Sequence, residues 1–299
     1  MTFKHLIILS LFVFSLTACE QPVLFEDPQK TEDTTTGNVT LNITVPENIS
    51  FENADDSDAA DTRTAKYLSD VCTHLNLVVY DGDSKVRTIN QKKGDNGFGT
   101  VTLQLPEGTY QIVILGHSCD GNATFTALDK ISFPNNRVSD TFYYYGTLTV
   151  DSEEDDATHD LTLERAVAMF RLVITDDMPS NVRKMKFYYT GGSSTFSALS
   201  GRGSVNSRQT VNMDVNGEQM FEVYTFPHDN TGKLKMTVTA LDASDNIVQE
   251  HIFEDVPIQL NHITNYKGEF FGNSNAKSAS GSVRFIVDDE WAATDEYTF

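Results

Sequence analysis

The chain has 299 residues, enough for one large or two ordinary domains, and 39% of them are hydrophobic, so a core can form. Acidic residues outnumber basic residues by 43 to 22, which gives a formal net charge of −21. Because a surface of this charge repels phosphate backbones, the composition argues against nucleic acid as a partner.

The first 18 residues have the parts of a bacterial export signal. Lys4 supplies the positive charge, and Leu6 to Leu16 form an apolar stretch of 11 residues. This stretch is too short to span a bilayer of about 30 Å as a helix. Leu16-Thr17-Ala18-Cys19 then resembles the lipobox of lipoproteins, so we predict that residues 1–18 are removed and that Cys19 is acylated. The alternative is an ordinary secretory signal with an incidental Cys19.

Residues 19–37 are polar, with two prolines and a run of threonines, which predicts a flexible tether between the lipid and the fold. The next segment alternates apolar and polar residues and predicts a half-buried strand. Its inward-facing side chains are expected to be Val39, Leu41, Ile43 and Val45. A loop rich in aspartate follows from Phe51 to Asp70 and contains Arg63.

Short strands separated by turns continue to the C-terminus. Thr100 to Leu115 reads as a hairpin that turns at Pro106-Glu107-Gly108. No segment has helical periodicity over three turns, so we expect an all-β fold of two antiparallel β-sandwiches in tandem. The acidic stretch Asp151–Asp156 marks the junction. The N-terminal sandwich is expected over residues 38–160 and the C-terminal sandwich over residues 161–299.

A last strand is predicted at Ser282–Val287, after a stretch rich in glycine, serine, alanine and asparagine and before an acidic tail. One face of this strand is apolar, and it consists of Val283, Phe285 and Val287.

Cys72 and Cys119 remain once Cys19 is assigned to the lipid. An even pair of cysteines beside predicted strands, in an oxidising compartment, favours a disulfide. The bond would close a loop of roughly 47 residues and stabilise the fold by about 4 kcal/mol. Two buried free thiols are the alternative.

The sequence contains no specific pattern of a catalytic or metal site. It has no GxSxG or HExxH motif, and its seven histidines are isolated from one another along the chain. The acidic stretch from Asp151 to Thr162 lacks the glycine at position six and the glutamate at position twelve of a calcium-binding loop. We therefore expect no catalytic residue, no metal and no cofactor other than the covalent lipid on Cys19.

Three short segments resemble the fimbrillins of the Bacteroidales. Residues 160–168 (DLTLERAVA), followed by an apolar strand, look like the junction between the two domains of a fimbrillin. Cys72–Asp81 and Gly108–Gly116 are similar to first-domain segments of the FimB-type fimbrial anchor subunits. The resemblance covers roughly residues 38 to 290. It implies two transthyretin-like β-sandwich domains in a type V pilus subunit of an outer membrane.

The resemblance also implies assembly by strand exchange, in which a strand of one subunit completes the sheet of its neighbour. The first strand and the last strand of this chain are the segments that could take part. Stalk subunits of the family lose their first strand to an arginine-specific protease, so cleavage after Arg63 would make this chain a stalk or tip subunit. With Arg63 intact, the lipid stays attached and the protein is an anchor at the cell surface.

A non-enzymatic anchor subunit, in contact with other fimbrial subunits and with outer-membrane lipid, is the leading hypothesis. One alternative is a stalk or tip fimbrillin matured by proteolysis, and another is a surface lipoprotein that binds glycans. Sugar rings stack on exposed aromatic side chains. The only tryptophan is Trp291, and Tyr143, Tyr144 and Tyr145 are expected to alternate across a strand, which argues against an aromatic platform.

Overall fold

Nearly all of the regular structure is β-strand. The structure, a computed structural model, describes residues 36–46, 66–151, 157–272 and 293–298. Within these ranges the helices are α1 (Leu68–Val71) and a 3₁₀ turn at Pro134–Asn136, and neither is long and apolar enough to cross a membrane. The strands of the first half are β1 (Thr36–Val45), β2 (Lys66–Tyr67), β3 (His74–Asp81), β4 (Ser84–Lys92), β5 (Thr100–Pro106), β6 (Gly108–His117), β7 (Thr124–Ala127), β8 (Lys130–Ser132), β9 (Thr141–Val150), β10 (Ala157–Thr162) and β11 (Glu164–Arg165). Those of the second half are β12 (Ala168–Ile174), β13 (Lys184–Gly192), β14 (Thr195–Ser197), β15 (Arg202–Gly203), β16 (Ser207–Asp214), β17 (Met220–Thr225), β18 (Thr231–Leu241), β19 (Ile247–Gln259), β20 (His262–Gly268) and β21 (Ala293–Thr298).

The first half forms a sandwich of two sheets. In one sheet β1 pairs with β10 on one side and with β5 and β2 on the other. The other sheet has the strand order β11-β9-β6-β3-β4. The inward side chains of the two sheets form what we name the first core. Its fully buried members include Leu41, Leu68, Leu75, Leu77, Leu103 and Phe142.

The second half forms another sandwich, whose sheets have the orders β17-β12-β20-β21 and β16-β13-β18-β19. The second core lies between these sheets and is richer in aromatic rings than the first. Its aromatic members are Phe170, Phe187, Tyr189, Phe221, Phe253 and Phe270. The predicted all-β fold of two tandem sandwiches is therefore confirmed.

Three of the described strand pairs are parallel, which differs from the antiparallel sheets expected from the sequence. They are β1 with β10, β12 with β20, and β20 with β21. In each sandwich an early strand thus lies beside a late strand that points the same way. Because the chain enters at the start of one and leaves at the end of the other, entry and exit lie at opposite ends of the sandwich. This geometry suits domains that follow one another in tandem.

The predicted hairpin of β5 and β6 is wrong, although both strands exist. β5 pairs with β1, whereas β6 pairs with β3 and β9 in the opposite sheet. The turn at Pro106-Glu107-Gly108 carries the chain across the sandwich instead of folding it back within one sheet. The hydroxyl of Tyr110 donates to the carbonyl of Pro106 at 2.9 Å and fastens this crossing. Both segments alternate near the turn because each buries one face in the same core from an opposite side.

The ends of the first sandwich lie a few residues from the predicted boundaries. β1 begins at Thr36 and not at residue 38, because Thr36 and Gly37 pair with the end of β5. The boundary predicted between residues 160 and 161 falls inside β10, and Leu163 is fully buried in the first core.

A third core joins the two sandwiches. It combines Val78 and Val113 of the first half with Met169 and Phe226 of the second. A small sheet of order β15-β14-β8-β7 also contains strands from both halves. β6 accordingly alternates between buried and exposed side chains near its start but is buried on both faces from Ile112 onward. Continuous apolar runs thus mark the parts of strands that the other sandwich covers.

Several predicted features lie outside the described residues. They are the signal peptide (residues 1–18), Cys19, the tether up to residue 35, Arg63, and the last-strand residues Val283, Phe285 and Val287. What was inferred for them stays a prediction.

Candidate strand-exchange site

The first strand occupies a central position in its sheet. β1 has β10 along one side, and β5 followed by β2 along the other. Among the described strands of this sheet, β10, β5 and β2 pair only with β1, so β1 alone holds the sheet together. We name the space between these neighbours the β1 slot.

The four side chains predicted to face inward from β1 do so. Their exposed fractions are 2%, 0%, 4% and 0% for Val39, Leu41, Ile43 and Val45, and all four belong to the first core. Burying one such side chain stabilises a fold by about 1.5–3 kcal/mol, so removing β1 would open an apolar groove along the first core. Only a strand with alternating apolar side chains can fill this groove.

The outer face of β1 is polar and is bonded to both neighbouring strands. Asn42 Nδ2 donates to Asp160 Oδ1 of β10 at 3.0 Å, and Thr100 Oγ1 of β5 donates to Asn42 Oδ1 at 3.5 Å. Thr44 Oγ1 donates to the carbonyl of Leu161 at 3.3 Å. The sequence pattern shows only that these positions are polar, whereas the structure shows that they link three strands.

Both ends of β1 are held by close contacts. The N–H of Leu163 donates to the carbonyl of Thr44 at 2.9 Å, which ties the chain after β10 to the end of β1. At the start of β1, a Cβ added to Gly37 would lie 2.8 Å from the carbonyl oxygen of Asp151. Glycine is therefore the residue that fits this position without displacing its neighbours.

The predicted disulfide is absent from the structure, in which Cys72 and Cys119 are free, buried thiols. Cys72 lies in the first core and Cys119 in the third core, so the thiols are on opposite sides of the sheet that contains β3 and β6. Cys119 Sγ donates to the carbonyl of Arg137 at 3.2 Å. Burial raises the pKa of both thiols, which disfavours the reactive thiolate.

Sequence analysis missed a buried polar network where β3 and β6 pair. His117 Nε2 lies 2.7 Å from Asn76 Oδ1, and Asn76 Nδ2 donates to Asn90 Oδ1 at 2.7 Å and to Asn122 Oδ1 at 2.9 Å. The rings of His74 and His117 stack with centroids 5.5 Å apart, so these two histidines are not isolated in space. In the described part of the chain, no group of three or more histidine, cysteine, aspartate or glutamate side chains is placed to hold a metal ion.

Burial keeps His117 neutral. Burial, and to a smaller extent the neighbouring His74, lowers the pKa of His117 from 6.5 to about 3. His117 Nδ1 accepts a hydrogen bond from the N–H of Cys119 at 3.2 Å, so Nε2 carries the ring proton and donates to Asn76. One signal could have revealed the network, because Asn76 interrupts the otherwise apolar run of β3.

Arg165 connects the two sandwiches, within the segment that resembles a fimbrillin domain junction. Its Nε and Nη2 donate to the two carboxylate oxygens of Asp140 at 2.8 Å and 2.9 Å, and the Arg165 side chain is only 4% exposed. Nη1 donates to Asn261 Oδ1, between β19 and β20, at 3.0 Å. The guanidinium also lies over the ring of Phe142, 4.9 Å from its centroid. Only a planar fork of donors can make all these contacts together.

The three consecutive tyrosines of β9 alternate across the strand, as predicted. Tyr144 packs against the first core, whereas Tyr143 and Tyr145 pack against the third core. The ring of Tyr143 also contacts Phe196 at a centroid distance of 5.0 Å. These tyrosines therefore contribute to packing between layers and do not form one exposed aromatic surface.

Comparison with known proteins identifies a family. The sequence matches the family model of the fimbrillin-A associated anchor proteins Mfa1 and Mfa2 over residues 30–297. No curated protein is similar enough to count as a match.

Solved structures of low sequence identity resemble the fold. A candidate adhesin from Bacteroides ovatus has 12% identity and a TM-score of 0.47, over 81% of this chain and 88% of its own. The fimbrial anchor protein Mfa2 from Porphyromonas gingivalis has 10% identity and a TM-score of 0.42, over 72% and 82%. The tip fimbrial protein Mfa3 from Porphyromonas gingivalis has 9% identity and a TM-score of 0.36, over 73% and 81%.

These TM-scores lie below 0.5, so the family model, which covers most of the chain, carries the assignment. The expected resemblance to fimbrial anchor subunits is confirmed, and the chain belongs to the family of fimbrillin-A associated anchor proteins.

Proposed function

We propose that this protein anchors a fimbrium to the outer membrane, with acyl chains on Cys19 as the membrane attachment and the two sandwiches as the docking unit. Membership of the anchor protein family supports a fimbrial role at the cell surface. The observation that carries the anchor role is the central position of β1 in its sheet. β1 begins 17 residues after Cys19 in the same polypeptide, so a retained β1 keeps the lipid joined to the fold.

Retention of β1 distinguishes an anchor from a stalk or tip subunit. A subunit that accepts a neighbour's strand must first empty its slot, and cleavage after Arg63 would cut the covalent link between β1 and the rest of the fold. In an anchor the slot stays filled by its own strand. The full burial of the four inward side chains of β1 favours this filled state.

We further propose that the filament binds by strand addition. Val283, Phe285 and Val287 would present one apolar face to a groove like the β1 slot in a neighbouring subunit. Backbone hydrogen bonds then supply the affinity, and the alternating side chains set the register. An anchor that donates the strand predicted at Ser282–Val287 and keeps its own slot closed forms one end of the filament.

The contacts at the junction between the sandwiches support a role in transmitting tension from the filament to the membrane. Interfaces between domains of one chain usually permit motion. Here a shared core, a sheet built from both halves and the contacts of Arg165 with Asp140 and Asn261 all cross the junction. Tension applied to one sandwich would therefore pass to the other through several independent contacts.

The membrane attachment is tested by Cys19→Ser. We expect the variant to leave the outer-membrane fraction and cells that carry it to shed their fimbriae into the medium. Thr34→Ser is a matched control, since it changes a side chain of the same N-terminal segment without removing the thiol. A Cys19→Ser protein that stays in the outer membrane and retains fimbriae would contradict the proposal.

The stalk or tip alternative is tested by mass spectrometry of the native surface form. An anchor is expected to begin at an acylated Cys19, whereas a matured subunit would begin at Thr64. Arg63→Ala gives a second readout, because it should leave an anchor functional but block a subunit that depends on cleavage.

A further inference from the structure

We infer that Gly37 and Asn42 set the register of the strand in the β1 slot. The slot would accept only a strand that carries a glycine and, five residues later, an asparagine. The inference rests on the proposed function, since it specifies which strand that function's slot accepts. It adds a positioning role for two residues that the apolar pattern of β1 does not identify.

An alternating apolar pattern leaves the register of a strand ambiguous. A slip by one residue turns the apolar side chains outward, but a slip by two keeps them facing the core. Val39, Leu41, Ile43 and Val45 are aliphatic and similar in size. Burial in the first core therefore discriminates poorly between registers that differ by two residues, and other contacts must do so.

Gly37 supplies a steric limit on the inner face. A Cβ at this position would lie 2.8 Å from the carbonyl oxygen of Asp151 and 2.8 Å from Cγ1 of Val150, closer than such atoms approach in proteins. Gly37 is not among the residues with positive φ, so glycine is needed here for space and not for backbone conformation. A slip by two residues in either direction would place Thr35 or Val39 at this position, and both carry a Cβ.

Asn42 supplies hydrogen bonds to both neighbouring strands on the outer face. Its amide donates toward Asp160 on one neighbouring strand and accepts from Thr100 on the other, at 3.0 Å and 3.5 Å. Asn42 stands directly opposite Asp160 in the register of β1 and β10. A slip by two residues would put Thr40 or Thr44 opposite Asp160. A threonine hydroxyl donates and accepts through a single oxygen on Cβ, whereas the amide donates and accepts through two separate atoms one bond further from the backbone, so a threonine does not reach both strands in the same way.

The slot therefore fits an extended strand of the pattern Gly-x-apolar-x-apolar-Asn-apolar-x-apolar. β1 has this pattern from residue 37 to residue 45. Any strand of another subunit that replaced β1 would need the same spacing of glycine and amide to sit without a clash and to bond Asp160.

The test is amide hydrogen exchange of β1 in the non-acylated protein, followed by mass spectrometry. Asn42→Asp sets two carboxylates opposite each other, and we expect exchange over residues 36–45 to become about tenfold faster. Adding Asp160→Asn should return the rate to within about twofold of the original, because donor and acceptor are only interchanged. Asn38→Asp is the matched control, since Asn38 is exposed on the outer face of the same strand.

Gly37→Ala should accelerate amide exchange of β1, and Gly37→Val should accelerate it further. Exchange in β13 and β18 of the second sandwich should stay unchanged and serves as an internal measure of folding. The alanine variant keeps the test informative if the valine variant does not fold. The inference is overturned if Asp160→Asn fails to rescue Asn42→Asp, or if Gly37→Ala exchanges as slowly as the original protein. Neither outcome bears on membrane attachment, which Cys19→Ser tests separately.

Discussion

Lowering the pH should destabilise the protein through His117, which is fully buried and uncharged. Burial, and to a smaller extent His74, lowers the pKa of His117 to about 3, whereas an unfolded chain has a value near 6.5. Between these two values the unfolded state binds a proton that the folded state does not. The free energy of unfolding therefore decreases as the pH falls from about 6.5 toward 3.

The magnitude follows from the two pKa values. Between pH 7 and pH 5 the contribution of His117 to the free energy of unfolding should decrease by about 2 kcal/mol. The decrease depends almost entirely on the unfolded-state pKa, because a folded-state value near 3 leaves the ring neutral at pH 5. Protonation of the folded ring is disfavoured because a hydrogen on Nδ1 would face the N–H donor of Cys119.

Urea titrations of the original protein and of His117→Gln at pH 7 and pH 5 measure this effect. Glutamine retains an amide donor for Asn76 but does not titrate. The variant should be less stable than the original protein at pH 7. Between pH 7 and pH 5, however, its free energy of unfolding should decrease by about 2 kcal/mol less than that of the original protein. Carboxylates and the other histidines, including His74, titrate in both proteins and cancel in the comparison. Equal losses in the two proteins would refute the reasoning.

Three further predictions concern the core, the junction and the thiols. Leu41→Ala, which truncates a fully buried side chain of β1, should lower the free energy of unfolding by about 2–5 kcal/mol in a urea titration. Arg165→Ala, which leaves the carboxylate of Asp140 without its bidentate partner, should lower it by about 3 kcal/mol, and calorimetry should then resolve separate transitions of the two sandwiches. In protein that lacks its first 19 residues, Cys72 and Cys119 should resist a thiol reagent in the native state and should both react in denaturant without reductant.

Each of these predictions has a control or a contradicting outcome. Asn38→Ala, on the exposed face of β1, should change the free energy of unfolding by less than about 0.5 kcal/mol. If Leu41→Ala had an effect as small as that of Asn38→Ala, the buried position of Leu41 would be contradicted. Lys235→Ala is the control for Arg165→Ala. It breaks an exposed ion pair with Glu254 and should lower the free energy of unfolding by only about 0–1 kcal/mol. Two cysteines that stay unreactive in denaturant would indicate that the disulfide forms after all.

Local patterns were sufficient to predict β5 and β6 but not their partners. The alternation of Thr100–Pro106 and the apolar run within Gly108–His117 identified β5 and β6, yet these strands lie in opposite sheets. Alternation reports only that one face of a segment is buried. A hairpin and a crossing between two sheets bury the same face, so the pattern cannot distinguish them.

The residues missed at the candidate site share one property, which is that their partners are distant in sequence. Asn42 bonds a carboxylate 118 residues away, and Arg165 bonds Asp140 and Asn261 at separations of 25 and 96 residues. In the sequence each is a polar residue beside an apolar run. The short junction segment that resembles a fimbrillin includes Arg165, but a resemblance does not say what the side chain contacts.

The sequence by itself determined the all-β class, the inward face of β1 and the family, because side-chain alternation is a property of consecutive residues and the family match needs no coordinates. Only the tertiary structure decided that β1 is the central strand of its sheet, that Cys72 and Cys119 lie in different cores, and that His117 is neutral. The physical reason is that strand pairing and burial on a second face depend on how distant segments meet. That choice is made by summed contacts across the whole fold, and no local pattern contains them.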